Sequence, residues 1–157
     1  MKNNKFIPKT EKPGILIQNG KFFIDMTFLK SYKKRDIFIH KNEQFIFKNI
    51  WQHIDIKYEK TLNQLKETIS INDVNATHSL KFHIDTNLVV NNDENKGINM
   101  SSSKTDEIIF SFKNVRLWDV NGNLIKDGVK TSFDNKSKIY EIRIKKQEEN
   151  KYPMRIS

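Results

Sequence analysis

The sequence predicts an all-β fold of mainly antiparallel strands, arranged as a β-sandwich or barrel of about nine short strands with one short accessory helix. Apolar residues alternate with polar ones over several short segments, which is the pattern of half-buried strands. Turn residues, among them two Asn-Gly pairs, separate these segments every ten or so positions. The chain has 157 residues, 11 of them Phe, so we expect one domain spanning residues 1–157.

The first interpretable element is a hairpin over residues 15–28. Asn19-Gly20 separates two apolar runs, and a type I′ turn accepts this pair because it needs positive φ at both central residues. The apolar residues of the second run fall on one face at period two: Phe22, Ile24, Met26 and Phe28. This alternation predicts a strand with one buried face.

Two apolar runs at residues 36–40 and 45–50 predict a second hairpin, which follows the polar connection 30–36. Both faces of these runs carry large apolar residues, which indicates strands covered on both sides or one face that meets a partner. The connection also contains the densest basic cluster of the chain. The sequence therefore predicts an interaction surface formed by Ile37, Phe38, Ile39, Phe45, Phe47, Lys33, Lys34 and Arg35.

The middle of the chain predicts a strand, the accessory helix and another strand. Residues 51–59 alternate cleanly, with Ile54, Ile56 and Tyr58 on one face. The helix is predicted over residues 61–69 because Thr61 and Gln64 have capping-box spacing and the apolar residues that follow share one face. The alternation of a half-buried strand resumes over residues 81–90.

Residues 91–106 lack periodicity and predict a long loop, which we expect to make contacts with a partner. Residues 107–118 alternate in two phases, so we expect a bulge or short turn at Lys113-Asn114. The final predicted strand, residues 138–146, turns Tyr140, Ile142 and Ile144 inward. Residues 1–13 are predicted to be a basic N-terminal extension, and residues 147–157 a charged C-terminal tail.

No pattern in the sequence predicts catalytic, cofactor-binding or metal-binding residues, and we expect the protein not to be an enzyme. The four histidines form no recognisable pair, and the chain has no Cys. Asp119-x-Asn121-x-Asn123 is superficially like a calcium loop, but Gly122 stands fourth instead of sixth and Lys130 occupies the position of the bidentate Glu. A β-turn explains these residues better. The serines at 101–103 lack the strained turn that exposes a nucleophile.

The excess of basic over acidic residues in the chain has two explanations. A net charge of +9 and a pI near 9.6 are typical of proteins with anionic partners. However, only four of the 28 basic residues are Arg, and abundant Lys, Ile and Asn is also what AT-rich coding favours. The sequence has no apolar stretch of membrane-spanning length and no secretory signal, so we expect no membrane partner and a cytoplasmic location, or incorporation into a particle assembled there.

These observations lead to one hypothesis and two alternatives. We expect a non-enzymatic structural or assembly protein that packs against other subunits in a homo- or hetero-oligomer, for example in a viral or phage particle or a contractile injection apparatus. The strands with two apolar faces, the long loop and the basic extensions favour it. The first alternative is an OB-like nucleic-acid-binding domain that uses Lys33, Lys34 and Arg35. The second is a cytosolic inhibitor or immunity-type protein.

Overall fold

The structure is a computed structural model that describes residues 4–40, 44–61, 64–93 and 97–157, with only the backbone described at 38–40. No helix in these ranges is long and apolar enough to cross a membrane. The strands and the single 3-10 turn within the ranges are β1 (Lys5–Lys9), β2 (Gly14–Asn19), β3 (Phe22–Phe28), β4 (Asp36–His40), β5 (Gln44–Trp51), β6 (Ile54–Lys60), β7 (Leu65–Ile71), β8 (Ser79–Thr86), β9 (Val89–Asp93), β10 (Gly97–Ser101), β11 (Ile108–Phe112), β12 (Leu117–Trp118), β13 (Leu124–Ile125), β14 (Val129–Asp134), β15 (Ile139–Ile144), the turn Glu149–Lys151 and β16 (Met154–Ile156).

The strands form three antiparallel sheets. The first has the order β1-β2-β3-β8-β15-β14, the second β11-β10-β9 and the third β13-β12-β16-β7-β6-β5-β4. Each order begins and ends on an edge strand, so the sheets are open. The predicted all-β class is confirmed, and of the two predicted architectures the sandwich-like one describes the fold.

The contacts group the chain into two compact units. The first unit consists of Met1–Leu29, Lys81–Asn114 and Thr131–Glu141, and the second of Lys30–Leu80, Val115–Lys130 and Ile142–Ser157. Buried apolar side chains of the first unit include Ile15, Ile17, Ile24, Met26, Phe28, Phe82, Ile84, Leu88, Ile98, Met100 and Phe110. Those of the second include Phe45, Phe47, Ile50, Trp51, Ile54, Ile56, Tyr58, Ile69, Ile71, Leu80, Leu117, Ile142, Ile144, Met154 and Ile156.

The first hairpin confirms the predicted alternation but corrects its turn. β2 and β3 pair from Gly14↔Thr27 to Asn19↔Phe22, so the central residues of the turn are Gly20 and Lys21. Gly20 has φ +56°, and Lys21 is not among the residues with positive φ. One left-handed central residue with Gly in first place is the geometry of a type II′ turn, not of the predicted I′ turn.

The predicted helix over residues 61–69 is wrong, because Leu65–Ile71 is strand β7; residues 62 and 63 lie outside the described ranges. The backbone N–H and the hydroxyl of Thr61 both donate to the carbonyl of Gln64, at 2.9 and 3.2 Å. The two residues that mimic a helix cap therefore join the ends of a hairpin. β7 pairs with β6 from Ile54↔Ile71 to Lys60↔Leu65, and burial of Ile69 and Ile71 at period two favours the strand over a two-turn helix.

The predicted loop over residues 91–106 is also wrong for eight of its 13 described residues, which lie in strands. Its first residues continue β9, and Gly97–Ser101 is β10, the central strand of the three-stranded sheet. Residues 94–96 lie outside the described ranges. Of the described residues in this range, those from Ser102 to Asp106 turn, and the Asp106 N–H donates to the Ser102 carbonyl at 3.0 Å. β10 escaped prediction because its two large apolar residues are too few to show a period.

Both ends of the chain were predicted to be peripheral, and both take part in sheets. Residues 5–9 of the predicted extension form β1, which pairs antiparallel with β2. Residues 154–156 of the predicted tail form β16, which lies between β12 and β7. Met154 and Ile156 are each 1% exposed. Their burial depends on neighbouring strands from distant parts of the sequence, which the local pattern does not reveal.

We predict that Gly97→Ala destabilises the protein more than Gly122→Ala. Both glycines have positive φ, +90° and +81°, so both substitutions carry backbone strain. A Cβ at Gly97 would also lie 2.1 Å from the Phe112 carbonyl oxygen, whereas a Cβ at Gly122 would meet no atom within 4 Å. Urea unfolding should show an additional loss of about 1–3 kcal/mol for Gly97→Ala. Equal losses would contradict the close approach of β10 and β11.

Candidate functional site: a strand edge and its surroundings

The predicted interaction surface centres on β4, the last strand of the seven-stranded sheet. β4 pairs with β5 over its whole length, from Asp36↔Lys48 to His40↔Gln44, without a register shift. Its other side pairs with no strand among the described residues. An edge strand directs backbone N–H and C=O groups away from its sheet, where they can bind another strand. We call this free side of Asp36–His40 the β4 edge.

The basic connection before β4 is held against its own sheet. The Tyr32 N–H donates to the Ile50 carbonyl at 2.7 Å, and Nη1 of Arg35 donates to the Tyr32 carbonyl at 3.1 Å. Arg35 is half-buried, while Lys33 and Lys34 are exposed. The two exposed ammonium groups therefore stand immediately before the β4 edge in the chain.

The apolar members of the predicted surface do not all lie at its exterior. Phe45 and Phe47 are 2% and 0% exposed, and the Phe47 ring meets the Tyr58 ring edge-on, with centroids 6.1 Å apart. These two side chains belong to the core of the second unit. Ile37 is half-buried opposite Phe47, and the side chains of Phe38 and Ile39 lie outside the described residues. The exposed groups of the predicted surface are therefore the β4 edge and the side chains of Lys33 and Lys34.

Of the other five edge strands, β1, β11, β13 and β9 carry features that discourage pairing with a further strand; the fifth is β14. β1 contains Pro8 between lysines, and Pro has no N–H to donate. β11 has a register shift opposite Met100 and Ser101, and such a bulge bends an edge. β13 has only two residues, and β9 is largely exposed and polar. β4, by contrast, has a regular ladder and three consecutive apolar residues.

Glu67, a half-buried residue of β7, lies in the same row of the sheet as Ile39 of β4. The pairs Ile39↔Phe45, Phe45↔Tyr58 and Tyr58↔Glu67 form one continuous row across four strands. Desolvation raises the pKa of the Glu67 carboxyl above its usual 4.5, and the nearby Tyr58 hydroxyl opposes this effect. Sequence reasoning missed Glu67 because the segment was interpreted as a helix, on which Glu67 shared no face with Tyr58.

A second polar network joins the β7–β8 connection to the C-terminal segment. Nδ1 of His78 donates to the Ala76 carbonyl at 2.7 Å, which leaves Nε2 to accept from the Tyr152 hydroxyl at 2.6 Å. The Gln147 N–H donates to the same hydroxyl oxygen at 3.3 Å. Burial lowers the pKa of His78; the Ala76 hydrogen bond raises it, and nearby Lys146 lowers it further. The network therefore holds a neutral imidazole and fixes the segment that leads to β16.

The remaining sequence candidates lie in turns and strands of the described ranges. Oδ1 of Asp119 accepts the N–H groups of Asn121 and Asn123, each at 2.9 Å, so the predicted turn is confirmed. These bonds hold the pKa of Asp119 below its usual value. His53 lies in the β5–β6 turn and His83 in β8. Within the described ranges, no three His, Asp or Glu side chains are grouped so that they could hold a metal ion.

A basic depression of about 360 Å³ lies elsewhere in the second unit. It forms where the β13–β14 turn meets the end of β15, and the Lys145 N–H donates to the Gly128 carbonyl there at 2.7 Å. Its lining residues are Asp127, Gly128, Lys130, Arg143, Ile144 and Lys145. Sequence reasoning missed this site because its two segments are separated along the chain and belong to different strands.

We predict that Glu67→Gln removes a pH dependence of stability. Since the folded-state pKa is raised, the contribution of Glu67 to stability is fully present below its unfolded pKa, near 4.5, and is lost as the pH rises through the folded pKa. Each unit of the rise corresponds to about 1.4 kcal/mol. Urea unfolding measured from pH 4 to 8 should show Glu67→Gln becoming more stable than wild type towards pH 8. Glu11→Gln, at an exposed residue, is the control. Parallel pH profiles for all three proteins would contradict the raised pKa of Glu67.

Comparisons of the chain with models of protein families, with curated proteins and with solved structures find no match. The function of the chain therefore has to be inferred from its own contacts, burial and charges.

Proposed function

We propose that the chain is a non-enzymatic assembly protein whose β4 edge accepts a strand from another protein subunit. The observation that carries the proposal is the regular, apolar and unprotected edge of the seven-stranded sheet at Asp36–His40. A strand added to such an edge gains main-chain hydrogen bonds, and pockets for its alternate side chains provide specificity. Large particles are held together by many contacts of this kind.

The surroundings of the β4 edge suggest the chemistry of the incoming strand. Lys33 and Lys34 are exposed just before it, so an acidic residue flanking the partner strand would be favoured electrostatically. Phe45 and Phe47 of the neighbouring strand β5 are packed in the core. Their packing holds β5 in place when a partner strand binds to β4. We therefore expect an apolar, extended partner segment with an acidic flank.

We predict that Ile37→Lys weakens assembly by roughly tenfold or more, whereas Ile7→Lys leaves it unchanged. A charged side chain directed inward from an edge strand is a natural block against strand addition. Ile37 is only half-buried, so a Lys there can extend its ammonium group to solvent. Ile7 makes the same substitution possible on β1, an edge that already contains Pro8.

The measurement is quantitative capture of binding subunits by tagged chain from its source cells, with sedimentation of the isolated chain for self-association. Wild type and Ile7→Lys should bind equally, and Ile37→Lys should bind roughly tenfold less or weaker, equivalent to about 1.4 kcal/mol or more. Circular dichroism confirms that each variant is folded. A strictly monomeric chain that captures no subunit, or capture unchanged by Ile37→Lys, would contradict the proposal.

The nucleic-acid alternative makes a different prediction for Lys33 and Lys34. On the assembly proposal, Lys33→Glu/Lys34→Glu weakens subunit capture less than Ile37→Lys, because exposed ion pairs contribute little. The chain should also fail to retard single-stranded oligonucleotides at low salt. Retardation that requires both lysines, and whose affinity falls with a log–log salt slope of about −0.7 for each phosphate contact, would replace assembly with nucleic-acid binding.

A further inference from the structure

The basic depression has a closed floor and a charged rim. Gly128 and Ile144 are buried, whereas Asp127, Lys130, Arg143 and Lys145 are exposed. The floor requires glycine, because a Cβ at Gly128 would lie 2.8 Å from both Cβ and Cδ2 of Leu117. Two hydrogen bonds shape the turn that forms one wall: Gly128 N–H to the Ile125 carbonyl at 3.1 Å, and Lys145 N–H to the Gly128 carbonyl at 2.7 Å.

The rim carries three cationic groups and one carboxylate. Arg143 and Lys145 are two residues apart at the end of β15, a spacing that places side chains on the same side of an extended chain. Lys130 comes from β14, the neighbouring strand. Neither Lys130 nor Lys145 forms an ion pair with any residue of the described ranges. The positive charge of these two lysines is therefore not neutralised within the described part of the protein.

We infer that this depression binds the phosphate group of a small phosphate-bearing molecule. A guanidinium offers two parallel N–H donors that match phosphate oxygens, and ammonium groups add charge without a fixed direction. The volume of about 360 Å³ lies in the range of small-ligand sites. The Asp127 carboxylate can accept a hydrogen bond from a hydroxyl group of the same molecule, so a nucleotide or a sugar phosphate fits better than phosphate alone.

The inference is independent of the β4 edge, since the two sites share no residue. It is also distinct from nucleic-acid binding at Lys33 and Lys34. A small ligand makes one saturable contact at the depression, whereas a strand of nucleic acid would gain affinity with each further phosphate that reaches a lysine.

The test is titration of the isotope-labelled chain, followed by amide NMR, with inorganic phosphate, adenosine 5′-monophosphate and a single-stranded oligonucleotide at constant ionic strength. We expect saturable shifts of the amides at 127–130 and 143–145, with the mononucleotide binding more tightly than phosphate. Lys130→Glu/Lys145→Glu should weaken binding at least roughly tenfold, and Arg143→Lys should weaken it less while keeping the charge.

The matched control is Lys12→Glu/Lys81→Glu, which makes the same change of net charge at two exposed residues of the first unit and should leave affinity within about twofold. Equal losses of affinity in the two double variants would contradict the proposed site, because they would show that binding responds to net charge alone. Shifts that do not saturate, or that lie away from the depression, would overturn it too. Much tighter binding of the oligonucleotide than of the mononucleotide would replace the small ligand with nucleic acid.

Discussion

The seven-stranded sheet depends on the pairing of one very short strand, β16. Met154 and Ile156 pair with β7 on one side, and Ile156 also pairs with Leu117 of β12 on the other. Beyond it, Arg116 and Ser157 exchange backbone hydrogen bonds at 3.0 and 3.1 Å. β12 and β13 join the sheet only through this strand. Three residues at the end of the chain thus complete the core of the second unit.

So short a strand needs support from outside its own ladder. The hydrogen bond between His78 and Tyr152 holds the segment just before β16, and the Val120 N–H binds the Lys151 carbonyl at 2.9 Å. These contacts reduce the conformational freedom that three residues would otherwise lose on joining the sheet. The lowered pKa of His78 makes this support stronger above the usual pKa of histidine than below it, because protonation would remove the acceptor for the Tyr152 hydroxyl.

The two proposed binding sites present different chemical groups to a ligand. At the β4 edge these groups are backbone N–H and C=O groups, which select an extended chain. At the basic depression they are the ammonium groups of Lys130 and Lys145, which select a compact anion. Glu67 is a different case, because the raised pKa of its carboxyl links it to the stability of the fold.

Local sequence pattern was sufficient for the long alternating strands and insufficient for the short ones. Phe22–Phe28 and Ile54–Tyr58 were predicted because burial of one face leaves a period of two within a single strand. The basic residues Lys33 and Lys34 and the apolar strand β4 were likewise visible in the chain. However, the sequence did not distinguish Phe45 and Phe47 as core residues from Ile37 at an edge, since all are apolar.

The amino-acid sequence by itself determined that the long alternating segments extend, where several of them turn, and that the chain is an all-β protein. Only the tertiary structure decided that Gly97–Ser101 and Met154–Ile156 are inner strands, that Leu65–Ile71 is not a helix, and that Gly128 faces Arg143 and Lys145 across one depression. The physical reason is that alternation is a property of one strand, whereas burial in a sheet is set by partners distant in sequence. A strand of three to five residues has too few side chains for its burial pattern to be recognised in the sequence.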